Sequence, residues 1–241
     1  MELKELIDIC INKKRIVSLV GAGGKTSLMY LIAGEAARSG KKVLVSTTTH
    51  IKRPEKRYAT GIDEVRALWN RGDYAIAGSI DNENEEKITF LPDDIYEAIK
   101  NEAELILLEA DGARCFPSKV PAEYEPVIVP ETDLVIGIMG MSAIGYKLTD
   151  CCFRFKTEGE WLGLNGDVVL DENTAAVILS SEKGTRKLVG NREYIAVLNQ
   201  CDNEDILLRA RKIEDILFRK CGVRSVLCSI KNYWRDNERN I

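Results

Sequence analysis

Short unbroken apolar runs alternate along the chain with longer stretches whose apolar residues recur every three or four positions. The runs predict buried strands and the spaced stretches predict helices. Residues 15–20 (RIVSLV) form the first run, which stops at Gly21. Residues 25–39 then place Leu28, Leu31, Ile32 and Ala36 at helical spacing. A second strand is predicted at 43–45, entered after Gly40, followed by a helix at 63–71 and a strand at 74–77. The next helix is predicted over 92–101, with Pro92 at its start, where the missing N–H costs nothing. Residues 105–108 (LILL) and 133–139 read as strands buried on both faces. The stretch 142–190 is more helical and less regular; it holds apolar runs at 162–164 and 168–170 and a helix over 171–179. Residues 194–198 (YIAVL) predict a strand, and 204–219 a helix with Leu207, Ala210, Ile213 and Leu217 in register. A final strand falls at 223–228.

Repeated strand–helix units with continuous apolar strands imply an α/β fold, a mostly parallel sheet with helices on both faces. No internal repeat or low-complexity linker interrupts it, so the expectation is one domain over 1–241 with a helical insertion at about 142–190. Composition narrows the class without changing that picture. Hydrophobic residues make up 45% and charged residues 30% of 241, which excludes a disordered or collagen-like chain. A chain of this size buries roughly 70–75% of its unfolded surface, so it needs no staple to be stable. Net charge is −4 with a pI near 5.4, and no basic domain or stripe is present. A broad nucleic-acid footprint is therefore not expected. The short basic cluster Lys52, Arg53, Lys56 and Arg57 reads as a solvated loop.

No apolar run approaches the ~20 residues of a membrane span. The first fifteen residues alternate charged and apolar positions and carry no signal-peptide core, so a cytoplasmic protein without a membrane partner is expected. The seven cysteines are an odd number with no CxxC pair, which argues against a zinc knuckle or a disulfide framework. Most read as small core residues. Adjacent Cys151 and Cys152 have a second reading, as thiolates offered to a soft metal or a selenium species.

The chemistry concentrates first at residues 17–28, VSLVGAGGKTSL. A buried strand runs into Gly21, Ala22, Gly23 and Gly24, then Lys25, Thr26 and Ser27 open a helix. Glycines let the backbone turn its N–H groups toward an anion, and the helix N-terminus adds partial positive charge. Lys25 can reach terminal phosphates and the Thr26 hydroxyl can bind Mg²⁺. The spacing is GxxGKT; the first glycine of the longer GxxxxGK[ST] pattern would fall on Leu19. With its strand and helix flanks, the loop makes the expected fold P-loop NTPase-like.

Three further segments fit that reading. Residues 105–112 (LILLEADG) end a buried strand in Glu109 and Asp111, carboxylates suited to a hard cation and to a water. Residues 45–51 (VSTTTHI) place Thr47, Thr48, Thr49 and the only histidine, His50, at a strand's carboxyl end, where open α/β sheets bind ligands. Thr48 is a candidate for the Mg²⁺ shell, and His50 is either structural or a proton-transfer group. Strand YIAVL is followed by Asn199-Gln200-Cys201-Asp202, which has the NKxD guanine-reading pattern with Lys replaced by Gln200. The alternative for that segment is a polar turn capping the helix at Glu204.

Taken in order, VGAGGKTSLMY at 20–30, STTTHI at 46–51, LLEADGA at 107–113, SKVPAEYEPVIVP at 118–130 and NQCD at 199–202 resemble the YqeC family of selenium-dependent hydroxylase accessory proteins. The resemblance spans most of the chain and implies a P-loop NTPase fold. It also implies a role beside a selenium-dependent molybdenum hydroxylase, in maturing or delivering its cofactor. Carried over by position, Lys119, Glu125 and Pro126 would line the site facing the nucleotide. The chain has Phe153-Arg154 where the family pattern often has histidine–arginine, and NQCD where it has NKxD.

The leading expectation is a Mg²⁺-dependent protein that binds ATP or GTP and hydrolyses it slowly. In that reading Lys25 and the loop amides stabilise charge on the transferred phosphoryl group. Thr26 and Asp111 hold the metal, Glu109 or His50 orients water, and Arg154 or Arg114 acts as an arginine finger in cis. Two alternatives stand beside it. One is a small-molecule phosphotransferase or an ATP-dependent ligase, because the GxxGKT spacing is also that of Mur-type amide ligases. The other is a module that binds a nucleotide or phosphorylated cofactor without turnover.

Overall fold

The computed structural model describes residues 1–164 and 167–238. Eight strands form one sheet: β1 (Ile16–Gly21), β2 (Val43–Thr47), β3 (Tyr58–Ala59), β4 (Ala75–Ala77), β5 (Leu105–Glu109), β6 (Leu134–Gly140), β7 (Glu193–Asn199) and β8 (Arg224–Leu227). Their spatial order is β8-β7-β6-β1-β5-β2-β4-β3, and all the pairings are parallel. The longer helices are α1 (Leu3–Lys13), α2 (Lys25–Arg38), α3 (Ile62–Trp69), α4 (Asp93–Glu102), α5 (Glu172–Ser180), α6 (Glu204–Cys221) and α7 (Ile230–Glu238).

The strands are continuously apolar because both faces of the sheet are covered. Val17, Leu19, Leu107, Ile136 and Val197 pack toward one face, against Leu6 and Cys10 of α1, Leu28 and Ile32 of α2, and Ile230 of α7. Alternate residues serve the other face. There Ile16, Leu44 and Ile106 meet Val65 and Trp69 of α3 and Ile99 of α4. Further along the same face, Met139, Ala196 and Leu198 meet Ile178 of α5 and Ala210, Ile213 and Leu217 of α6. Helices on both faces of a mostly parallel sheet are thus observed, as the apolar pattern predicts.

Residues 142–190 hold a 3₁₀ turn that begins at Met141, one-turn helices at Leu148–Cys151 and Phe155–Glu158, a second 3₁₀ turn at Gly159–Leu162, and α5. Residues 165 and 166 of that stretch lie outside the described residues. The pair of strands Ser118–Lys119 and Cys152–Phe153, also parallel, ties it to the loop after β5. A separate antiparallel sheet joins Ile51–Lys52, Lys87–Thr89 and Ser79–Ile80. Strands of two or three residues carry no detectable period, so the sequence does not announce them. Helices α1 and α7 were also outside the sequence expectation. For α1 a signal exists: Leu3, Leu6, Ile7 and Cys10 are buried at helical spacing. Among the described residues no helix is long and apolar enough to cross a membrane.

Candidate functional site

Parallel strands bring their following loops to one edge of the sheet, and every motif singled out in the sequence lies in such a loop or beside it. β1 is flanked by β6 and β5, in register with Ile138 opposite Gly21 and Glu109 opposite Leu19. The loop Gly21–Gly24 therefore leaves the sheet between the ends of those two strands. Its geometry depends on glycine. Gly23 has φ +85°, and a Cβ there would sit 2.2 Å from Gly140 N. Gly24 has φ +126°, and a Cβ would sit 2.4 Å from Asn199 Nδ2. No L side chain fits either place. Ala22 is buried and donates its amide to Ile138 O (2.9 Å). Gly24 is the N-cap of α2, so Lys25, Thr26 and Ser27 occupy the first turn, where a helix presents its orphan amides.

Lys25 is 4% exposed and reaches back over the loop. Its Nζ donates to Gly21 O and lies 3.0 Å from Asp111 Oδ1 and 3.6 Å from Glu109 Oε1. Burial pushes the ammonium pKa down, but the Asp111 and Glu109 carboxylates outweigh that and hold it above the ordinary lysine value. Glu109 shifts upward, because burial disfavours its charged form more than Lys25 and the Thr26 hydroxyl favour it. Thr26 Oγ1 donates to Glu109 Oε2 (2.8 Å), and Gly21 N donates to Asp111 Oδ2 (3.0 Å).

A second buried lysine extends the cluster. Lys119 is 1% exposed, with Nζ 3.1 Å from Asp111 Oδ2 and 2.8 Å from Glu125 Oε2, and it donates to Gly112 O. Arg154 closes the far end, 3.6 Å from Glu125 Oε1; it donates to Tyr124 Oη (2.8 Å) and covers the Phe153 ring. Three cations thus meet three carboxylates in one connected set. Arg114 lies over the same Phe153 ring.

The motif after β7 lies on the opposite side of the phosphate loop. Asn199 Nδ2 donates to Gly23 O (2.8 Å), while its Oδ1 accepts from Ile230 N (3.2 Å). Asp202 Oδ1 accepts from Ser229 Oγ (2.6 Å). Gln200 turns away: its Oε1 accepts from Ser142 Oγ (2.6 Å) and packs against Gly140. Asn203 caps α6 by accepting from Ile206 N, as a polar turn ahead of Glu204 would. A cleft of about 380 Å³ opens here, reaching from Gly24 and Ser27 past Asn199 and Asp202 to Lys231 and Trp234. Lys231, Trp234 and Ser142 were not expected from the sequence. The available signal was the aromatic, amphipathic stretch 230–238 directly after the last strand.

The threonine run and His50 are placed differently. Thr47 Oγ1 donates to Glu109 O (3.0 Å) and accepts from Thr49 N, so it pins β2 to β5. Thr48 Oγ1 donates to Val127 O (2.7 Å), which turns it toward the loop after Pro126 and not toward Lys25. His50 Nε2 lies 3.2 Å from Asp81 Oδ2 in a separate cleft lined by Ser79, Thr89 and Phe90. The structure does not bring His50 to the phosphate loop, because the chain turns outward there into the small antiparallel sheet. Cys151 and Cys152 are both buried, and burial pushes their thiols up to about 11 and about 12. Their burial in the core disfavours the thiolate that a soft metal or a selenium species would need.

Mg²⁺ fits the residues present. Asp111 Oδ1 is buried and makes no hydrogen bond, although Lys25 Nζ stands 3.0 Å away. With Glu109 and the Thr26 hydroxyl it forms the hard oxygen set that Mg²⁺ prefers. Among the described residues no three His, Cys, Asp or Glu side chains form a metal cage. Two carboxylates suffice for Mg²⁺ that arrives with phosphate oxygens and keeps several waters.

A family model described as YqeC protein matches residues 17–156. That segment holds the glycine loop, Thr48, His50, Glu109, Asp111, Lys119, Glu125 and Arg154; Asn199, Asp202 and α7 lie beyond it. The chain is also 31% identical, over 210 residues covering 82% of each chain, to a protein of Escherichia coli (strain K12) described as uncharacterized protein YqeC.

Proposed function

The chain belongs to the YqeC family, and we propose that it is a P-loop protein that binds a nucleoside triphosphate with Mg²⁺ and hydrolyses it slowly. One observation carries this reading. A glycine-bounded helix N-terminus, a buried lysine and two buried carboxylates converge on one point, and a cleft of nucleoside size leads away from it.

The amides of Gly23, Gly24, Lys25 and Thr26 cradle the phosphates. Lys25 Nζ exchanges its Gly21 O and Asp111 contacts for terminal phosphate oxygens and balances charge that builds during transfer. Thr26 Oγ1 and Asp111 would hold Mg²⁺, which would supply further neutralisation of phosphate charge. Glu109 Oε1 orients the attacking water, and its raised pKa suits it to accept the water's proton. Lys119 holds Asp111 in place through Oδ2. Arg154 reaches the cluster only through Glu125 and Lys119, so as an arginine finger it must first leave Glu125. His50 contacts Asp81 in the neighbouring cleft, which leaves Glu109 as the group at the cluster to orient water. At the biological level the reading is of an accessory protein whose nucleotide cycle serves maturation of a selenium-dependent molybdenum hydroxylase or delivery of its cofactor.

Phosphate release from ATP and GTP, each with Mg²⁺ or with EDTA, tests the chemistry. Expected is slow, Mg²⁺-dependent release that Glu109→Gln lowers about 100-fold, the range of a positioned general base, while nucleotide binding persists. Binding without release in the wild type would favour the non-hydrolysing module, and release only on addition of an acceptor would favour a phosphotransferase.

A further inference from the structure

We propose that α7 is the base platform of the nucleotide site, with Trp234 as its stacking plane, and that the base it accepts is guanine. This inference rests on the nucleotide reading above.

The NQCD segment lacks the lysine whose alkyl stem would otherwise cover one face of a base, and the structure explains how a base can be held without it. Gln200 sits at φ +66° with its amide oxygen accepting from Ser142, and it lines the cleft. An aromatic side chain enters the same cleft from another element. Trp234 lines it together with Asn199 and Asp202, one turn beyond Lys231, and it is 38% exposed. A half-open indole beside a cleft that begins at a phosphate loop is a stacking surface for a planar ring.

The helix carrying Trp234 is fastened to both ends of the site. Asn199 joins the loop carbonyl of Gly23 to the amide of Ile230, the first residue of α7. Ser229, just before the helix, donates to Asp202. Tyr233 Oη donates to Glu35 of α2 (3.3 Å), the helix that opens at the phosphate loop. Phosphate cradle and base platform are therefore one mechanical unit.

Asp202 sets the base. Ser229 engages its Oδ1 and so orients a carboxylate, an acceptor-only group, at the cleft wall. Guanine presents two adjacent donors, N1–H and the 2-amino group, which one carboxylate accepts together. Adenine and cytosine place a ring-nitrogen acceptor beside their single amino donor, and that lone pair would face the carboxylate.

Tryptophan emission tests this directly, read during titration with GTP, ATP and XTP in Mg²⁺. GTP is expected to quench the wild type and to leave Trp234→Phe unquenched, since Trp69 and Trp161 lie outside the cleft. Affinity, read by thermal shift, should favour GTP over ATP at least tenfold. It should fall about tenfold or more in Trp234→Ala and largely recover in Trp234→Phe, as base–aromatic stacking dictates. Asp202→Asn should turn the preference from GTP to XTP, whose 2-oxo group needs a donor. If Trp234→Ala binds GTP like the wild type while Lys25→Ala does not bind, the platform is wrong and the phosphate site stands. Equal affinity for ATP and GTP overturns guanine selection. No thermal shift with any of the three nucleotides in the wild type overturns both the platform and the nucleotide reading.

Discussion

Lys119 is the most buried charged side chain in the site, and its place shows what holds the site together before any ligand arrives. Its ammonium bridges Asp111 and Glu125, and without it the two buried carboxylates would keep one cation each, Lys25 at 3.0 Å and Arg154 at 3.6 Å. Lys119→Met should cost about 3–5 kcal/mol, the range for breaking a buried pair from one side, read by urea denaturation. The double variant Lys119→Met/Glu125→Leu should recover part of that loss. Tyr96 is the converse case: its hydroxyl is buried and, among the described residues, has no hydrogen-bond partner. Tyr96→Phe should stabilise the fold by about 1 kcal/mol. Sequence reading identified Lys25, Glu109 and Asp111 because strand, loop and helix signals surround them. Lys119 came only through family resemblance, since a lysine in a two-residue strand has no pattern to mark it as buried.

Among elements, the hinge of the site is Asn199, the last residue of β7. It makes hydrogen bonds to the phosphate loop on one side and to α7 on the other. Asn199→Ala should cost about 2 kcal/mol, two hydrogen bonds of ordinary strength. Amide hydrogen exchange should then rise in α7 and in residues 21–24 together; a rise in only one of them would show that they are not coupled. The helices α2 to α6 and every strand of the main sheet except the two-residue β3 were legible because each has a continuous apolar run or a face with helical spacing. The small antiparallel sheet was not. Its strands are set by tertiary contacts, and its turn is what carries His50 away from the phosphate loop to Asp81. The Thr48 hydroxyl has a role in the fold that its sequence gives no sign of, joining β2 to the carbonyls of Val127 and Glu109.

The whole molecule gathers its chemistry at one edge because all eight strands of its main sheet are parallel. The same dense packing that covers both faces buries tyrosines and cysteines, and both lower stability at alkaline pH. Burial pushes the hydroxyls of Tyr30 and Tyr96 up to about 12 from 10. The fold keeps them protonated at pH values where the unfolded chain releases the protons, so their contribution is intact below about pH 10 and is lost as pH rises toward 12. Lys25, also raised, adds loss in the same direction. The cysteines Cys10, Cys151, Cys152, Cys201 and Cys228, whose thiols burial also pushes up from 9, lose their share first. Urea midpoints should therefore fall progressively from about pH 9 to 11, with a shallower fall above about pH 10 in Tyr96→Phe.

The most direct test of the nucleotide site is the melting temperature of the wild type and of Lys25→Ala, with and without GTP and Mg²⁺. A ligand present at 100 times its Kd adds about 2.7 kcal/mol to the folded state. The expected result is a rise of several degrees in the wild type that requires Mg²⁺ and is absent in Lys25→Ala. An equal rise in both proteins, or a rise in neither, would contradict phosphate binding by this loop.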